Sequence, residues 1–258
     1  MLRRGNINAC AIILLALLGA LHFAHPVPYW MYLAVLAAWF VVTTLGSFYI
    51  QWNYHLRSIH SNKTAIKNQV SLTFDDGPHP EFTPKVLELL RQYNAKATFF
   101  LIGKEAGQHP KLVQDILGQG HSIGNHTYSH TNFFGFLATS KVISELERTN
   151  AILKKITGRS TRLYRPAFGV TNPNIQKAVK VLNLVSVGWN VRSLDTTQRS
   201  EEAVLQRITS KISKGDIILL HDTSQKTVKV LEQLLLFLVE KKLQCVTVDE
   251  LLNIKAYE

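Results

Sequence analysis

The chain has 258 residues, a formal net charge of +11, 46% hydrophobic residues and 18% charged ones. That is the composition of a folded protein with room for one sizeable domain and an appendage, and it excludes a disordered or fibrous chain. Cys10 and Cys245 lie at opposite ends, which argues against a disulfide framework, and there is no cysteine-rich metal motif. The Lys and Arg are scattered through helix-like segments with no RNA- or DNA-binding signature, so no nucleic-acid partner is expected; the charge reads as a solvated basic surface beside anionic lipid or a cell-envelope polymer.

Two apolar segments open the chain. Ala9–Ala24 is short, whereas Tyr29–Ile50 is long enough to cross a bilayer and carries Tyr29, Trp30, Phe48, Tyr49 and Trp52 near its ends, like interfacial anchors. The first segment follows Arg3 and Arg4 and has the length of a secretory signal, but "LHFAHP" lacks the small residue expected three positions before a cleavage site. The preferred reading is a transmembrane helical hairpin turning at His25-Pro26-Val27-Pro28, with membrane lipid as a partner and the bacterial inner membrane as the expected location. Arg3 and Arg4 before the hairpin and Arg57, Lys63 and Lys67 after it put the soluble part in the cytoplasm by the positive-inside rule. A single span over Tyr29–Ile50 puts it outside, so the side stays open. The division expected is an anchor over 1–52, a linker over 53–68 and a soluble domain over 69–258.

In the soluble part, Val70, Leu72 and Phe74 alternate with polar neighbours as in a strand, which ends at the adjacent acids Asp75 and Asp76 before Gly77-Pro78. Thr83 as N-cap and Pro84 at the first helical position predict a helix to about Gln92. Ala97–Gly103 reads as a buried strand, Pro110–Leu117 as a helix ended by Gly120, and His121–His126 as the next strand. A long helical pattern over Ser140–Thr157 precedes "TRLYRP", and Asn172-Pro173 opens another helix. Then come a strand over Leu184–Val191, a helix near Ser200–Ile212, a strand over Asp216–Asp222, a helix near Val228–Lys242 and a strand over Cys245–Val248. This alternation predicts an α/β fold with a parallel sheet, and with about seven strands and no Gly-rich phosphate loop a distorted (β/α)7-type barrel is preferred to an open doubly wound sheet.

In a parallel barrel the C-terminal ends of the strands share one face, which gathers Asp75, Asp76, His126, Arg165, Asp195 and His221 from distant parts of the chain. "HTYSH" sets His126 and His130 four apart, so both imidazoles can reach one point if the segment curls. Two imidazoles plus Asp76 make a three-ligand site with an open position, as in a catalytic zinc site. One acid of the pair can bind the cation while the other takes a proton from water, and the cation relieves their repulsion. Leu219 and His221 share parity along their strand, which suits a small apolar pocket, such as one for a methyl group, beside a general acid.

From about Val70 to Leu252 these motifs resemble, in order, the polysaccharide deacetylases of carbohydrate esterase family 4, also called the nodulation-protein-B homology domain. In "TFDD" the resemblance implies Asp75 as catalytic base and Asp76 as metal ligand; in "HTYSH" it implies His126 and His130 as the other ligands. "RPAFG" is similar to the family's Arg-Pro-Pro-Tyr-Gly, which implies that Arg165 orients Asp75 and that the Phe168 N–H helps hold an oxyanion. The fourth motif departs from the family, whose Asp-Trp is here Asp195-Thr196; Asp195 can still tune His221, and Trp189 is the candidate for the missing wall of the acetyl pocket. In "ILLHD" the match implies His221 as general acid and Leu219 as pocket residue.

The implied activity is hydrolysis of N-acetyl groups on an N-acetylhexosamine-containing glycan, such as peptidoglycan or a chitin-like oligosaccharide, releasing acetate. The implied cofactor is a divalent metal, zinc first, with cobalt or manganese as alternatives. Other readings from the sequence are a deacetylase or esterase for a lipid-linked or other acylated sugar, and an inactive glycan-binding relative. His79 and His121 read as turn and strand packing; "NFFGF" (Asn132–Phe136) fits either an exposed sugar-stacking loop or the core. The sequence sets no oligomeric state.

Overall fold

The computed structural model describes residues 3–258. Two helices, α1 (Arg4–Ala24) and α2 (Tyr29–Phe48), fold back on each other as the hairpin reading expects. At the turn the Val27 N–H donates to His22 Nδ1 at 3.2 Å, and further along Trp39 Nε1 donates to Asn8 Oδ1 at 2.9 Å. Both helices are long and apolar enough to cross a membrane by length and composition. Helix α1 starts five residues earlier than the apolar run, at Arg4, since Arg4–Asn8 contain no proline.

The chain then packs onto the soluble domain at once. Ile50 lies in the apolar cluster of Phe100, Leu163, Val187, Trp189 and Leu219, and Tyr54, Leu56 and Ser58 are buried. Ile59 forms a parallel bridge with Val187 and Ser61 an antiparallel one with Asp216. Of the stretch 53–68, read from the sequence as a linker, residues 54–61 are therefore laid against the sheet, while Lys63, Thr64, Ile66, Lys67 and Asn68 are exposed. Its apolar residues are too few and irregularly spaced to announce a strand.

The domain continues with β1 (Gln69–Asp75), α3 (Phe82–Gln92), β2 (Ala97–Leu101), α4 (Gly103–Gln108), α5 (Pro110–Gly118), β3 (Ser122–Asn125) and α6 (Thr139–Thr157). After these come β4 (Leu163–Tyr164), α7 (Pro173–Val181), β5 (Val185–Ser186), β6 (Val191–Arg192), α8 (Glu201–Thr209), β7 (Ile217–His221), α9 (Gln225–Glu240), β8 (Gln244–Cys245) and α10 (Val248–Leu252). The strands pair in the order β5-β4-β3-β2-β1-β7-β6, all parallel, with β8 added to the start of β1. On β1, Val70, Leu72 and Phe74 pack outward into the layer shared with α3 and α9, which leaves Ser71, Thr73 and Asp75 on the inner face of the curled sheet.

The expected strand Leu184–Val191 is two strands at opposite edges of the sheet. Between them the Val187 N–H donates to Tyr164 O at 2.8 Å and the Asn190 N–H to Ile217 O at 3.2 Å, so residues 187–190 bridge the open side of the half-barrel. Other boundaries move because polar side chains choose local partners. Thr83 is not the N-cap of α3: its Oγ1 accepts the His79 N–H at 2.7 Å and donates to Asp222, and the helix begins two residues earlier than expected, at Phe82. Gly103 opens α4 instead of ending β2, Ser224 starts α9 three residues early, and Thr247 caps α10, so the strand expected over Cys245–Val248 stops at Cys245.

Candidate active site

Asp75 is the last inward residue of β1. Strand alternation alone would turn Asp76 away, but its backbone enters the left-handed region at φ 71°, and the carboxylate comes round to the same side. Gly77 follows because a Cβ there would run into the Asp222 carboxylate. Arg165, just past β4, is fully buried and holds Asp75: Nη1 donates to Asp75 Oδ1 at 2.8 Å and to Thr73 Oγ1 at 2.7 Å. Nε donates to Val187 O at 3.2 Å and Nη2 to Gly188 O at 2.9 Å, while the guanidinium lies 4.1 Å from the Phe100 ring centre. Burial lowers the Arg165 pKa and Asp75 opposes that, so a charge that would be costly alone is paired and hydrogen-bonded.

His126 sits one residue beyond β3. Its Nδ1 donates to Arg165 O at 2.9 Å, which fixes the tautomer and turns Nε2 toward Asp76. His130 arrives after a turn in which Thr127 and His130 both take positive φ. The Nε2 atoms of both imidazoles lie 3.3 Å from Asp76 Oδ1, and the three donor atoms fall within 4.8 Å of one another. Asp76 Oδ1 and His130 Nε2 are buried with no hydrogen-bond partner among the described residues. Converging acceptors without donors are costly unless a cation meets them, and a two-imidazole, one-carboxylate set suits a divalent metal with an open coordination position.

The protonation states agree in part with that fit. Burial, then the charge of His126, holds His130 down at about 4, which keeps its lone pair free. Burial works to raise Asp76, but His126, His130 and His221 hold it well below the usual carboxylate range. Burial works to lower His126, yet Asp75 and Asp76 raise it, the same negative charge that would attract a cation.

From the end of β7, His221 meets Asp195. Its Nδ1 donates to Asp195 Oδ1 at 2.9 Å and its backbone N–H to Oδ2 at 2.8 Å, while Ser193 and Thr227 hydroxyls hold the two oxygens at 2.7 and 2.8 Å. Burial works to lower the imidazole, but the Asp195 bond, with Asp75 and Asp76 behind it, raises it to about 9. Burial likewise works to raise Asp195, and His221 outweighs it and holds the carboxyl low. His221 Nε2 stands 4.0 Å from Asp76 Oδ2.

These groups surround a cavity of about 240 Å³. Asp75, Asp76, His126, His130 and His221 meet there with Leu219, Trp189 and Phe168, and Arg165 and Asp195 stand behind Asp75 and His221. All ten residues singled out from the sequence are therefore brought together. Phe168 has φ 57° and rests its ring 4.4 Å from that of His130; at Gly169, a Cβ would lie 2.6 Å from the Trp189 ring, so only glycine permits that approach.

Sequence reasoning missed Arg192, at the end of β6, and Leu194 and Thr197, in the loop after it, which complete the rim. It also passed over Asp222, next to His221: burial pushes its carboxyl up to about 7, and its Oδ2 takes the Thr83 hydroxyl, tying the loop after β1 to the end of β7. The signal was the acid that directly follows His221 in "LLHD". His79 and His121 pack as expected, with Nδ1 accepting backbone N–H groups at 3.2 Å from Glu81 and Ala97. "NFFGF" divides: Phe134 is buried, Phe133 and Phe136 exposed.

The polysaccharide deacetylase family model matches residues 62–187. A peptidoglycan-N-acetylglucosamine deacetylase of Bacillus cereus is 38% identical over 157 residues, covering 61% of this chain and 57% of its own length. A second protein of that description from the same organism is 36% identical over 194 residues, covering 72% of this chain and 89% of its own. The crystal structure of the peptidoglycan N-acetylglucosamine deacetylase Bc1960 superposes with a TM-score of 0.73 at 33% identity, covering 78% of this chain and 95% of that one. The chain belongs to the polysaccharide deacetylases of carbohydrate esterase family 4.

Proposed function

We propose that this protein is a membrane-anchored, metal-dependent N-deacetylase of an N-acetylhexosamine-containing glycan, with peptidoglycan or a chitin-like oligosaccharide as substrate. The observation that carries the reading is the convergence, in one cavity, of an arginine-held carboxylate, a carboxylate with two imidazoles, and a carboxylate-backed imidazole. The named activity of the Bacillus cereus relatives supports it. The two N-terminal apolar helices support membrane attachment.

Asp76, His126 and His130 would hold a divalent cation, zinc first by donor type. Such a cation supplies Lewis acidity at the amide carbonyl and lowers the pKa of water. Asp75, oriented by Arg165, takes the proton from the attacking water. The Phe168 N–H donates to the oxygen that gains charge as the carbonyl carbon becomes tetrahedral. His221, kept protonated at neutral pH by Asp195, gives its proton to the departing amine. Leu219 and Trp189 enclose the acetyl methyl and limit water, with Trp189 serving as the wall that Thr196 cannot supply.

The test is acetate release from acetylated chito-oligosaccharides and from peptidoglycan by the purified protein with zinc or cobalt. Turnover that disappears on chelation and in Asp75→Asn supports the reading; full turnover in either overturns it. A second reading, deacetylation of a lipid-linked sugar precursor, is favoured by one feature: Arg3, Arg4 and Arg57 all stand at the end of the hairpin that carries the soluble domain. A reporter fused after Glu258 that is active only outside the cytoplasm separates the two.

A further inference from the structure

A cavity of about 630 Å³ lies away from the active site, where the start of α1 meets residues 53–57. Arg3, Arg4 and Arg57 line it with Asn8, His55 and Gln176, and no carboxylate does among the described residues. None of the three arginines has an ion-pair partner within 4.0 Å among the described residues. The cavity is a fixed joint, since the Arg4 N–H donates to Tyr54 O at 3.2 Å. Tyr54 itself packs on Gly46 of α2 and meets Thr43 Oγ1 at 2.9 Å. Helix α1 begins here with no acid in its first turn and no side-chain cap, so its positive end faces the same space.

His55 adds an independent sign of a ligand. It is 4% exposed, its Nε2 lies 3.1 Å from Ser47 Oγ, and its Nδ1 is buried with no partner. Burial and the charge of Arg4 hold it neutral, down at about 4. An anion among the arginines offsets that charge and lets Nδ1 take a proton and donate it. If α1 and α2 span the bilayer, as the membrane reading under Proposed function has it, this end of the hairpin lies at the headgroups. Guanidinium forks there meet phosphate oxygens in matching geometry.

We propose that this cavity is a binding site for the phosphodiester headgroup of an anionic membrane lipid. The ligand fastens the base of the hairpin to the soluble domain and seats the domain on an anionic bilayer.

The experiment uses the full chain in neutral detergent, titrated with phosphatidylglycerol, phosphatidylcholine or inorganic phosphate, with bound ligand read by native mass spectrometry. Phosphatidylglycerol is expected to be retained at least tenfold better than phosphatidylcholine, with retention falling roughly fivefold for each of Arg4→Gln and Arg57→Gln and recovering only in part in Arg57→Lys, which restores the charge without the fork. Acetate release from a soluble oligosaccharide by these variants should match wild type, which reports that they fold. Equal retention of the two lipids, or retention unchanged in the Arg4→Gln/Arg57→Gln pair, overturns the site. Displacement of the lipid by an equal concentration of inorganic phosphate overturns the lipid as its occupant. Flotation with phosphatidylcholine vesicles tests the hairpin separately: a wild-type chain that does not float overturns the membrane reading, and with it a lipid as the occupant. A chain that floats without preferring phosphatidylglycerol overturns the headgroup site alone.

Discussion

His130 and His221 line one cavity, yet one is held down at about 4 and the other raised to about 9. Both are desolvated, so burial alone does not separate them. The difference is in the second nitrogen and the nearest charge. His221 Nδ1 donates to a carboxylate that is held by four donors, whereas His130 sits against another imidazole, His126, and shares its one close carboxylate oxygen with it. Neighbours thus make the first a proton donor and the second a lone pair available to a metal, which is the division that amide hydrolysis requires.

The largest disturbance of that contrast should come from Asp76→Ala, which removes the oxygen common to both ligand histidines; bound metal, measured by elemental analysis, and turnover should be lost together. Asp75→Asn should leave the metal in place and lower kcat by about 10²–10⁴-fold, the range for a general base. Asp195→Asn should be milder, about 10²-fold at neutral pH, with a diagnostic change in the pH profile. His221 must carry its proton to act, so activity is present below its pKa and lost as pH rises through about 9; without the Asp195 charge that alkaline limb of kcat/KM should move down toward the unperturbed 6.5. The smallest effect is expected from Phe168→Ala, which strips the ring from His130 but keeps the backbone donor: about two- to tenfold in kcat/KM.

The acid pair, Arg165 and His221 were legible in the sequence because each follows or ends a short apolar run, His126 because it follows a strand and His130 because it stands four residues further on, and the barrel converts strand ends into one face. The fold class was legible for the same reason: alternation of strand and helix is a local signal. What was not legible depends on contacts between distant parts. Residues 187–190 read as strand because Val187 and Trp189 look like strand residues, but they leave Tyr164 and reach Ile217 to bridge the open side. Residues 53–61 read as a linker because the sequence does not reveal that Val187 and Asp216 offer Ile59 and Ser61 pairing partners. Leu194 and Thr197 reach the rim through the loop after β6, whose backbone, with Leu194 at φ 63°, has no periodicity to read.

The central claim is that Asp75 and the metal ligands, though adjacent in sequence, do separate jobs. The direct measurement is acetate release from an N-acetylated chito-oligosaccharide together with metal content, for wild type and Asp75→Asn in the same preparation. The account predicts equal metal in both proteins, turnover in wild type and its near-complete loss in the variant. Undiminished turnover in Asp75→Asn, or in wild type stripped of metal, would contradict it.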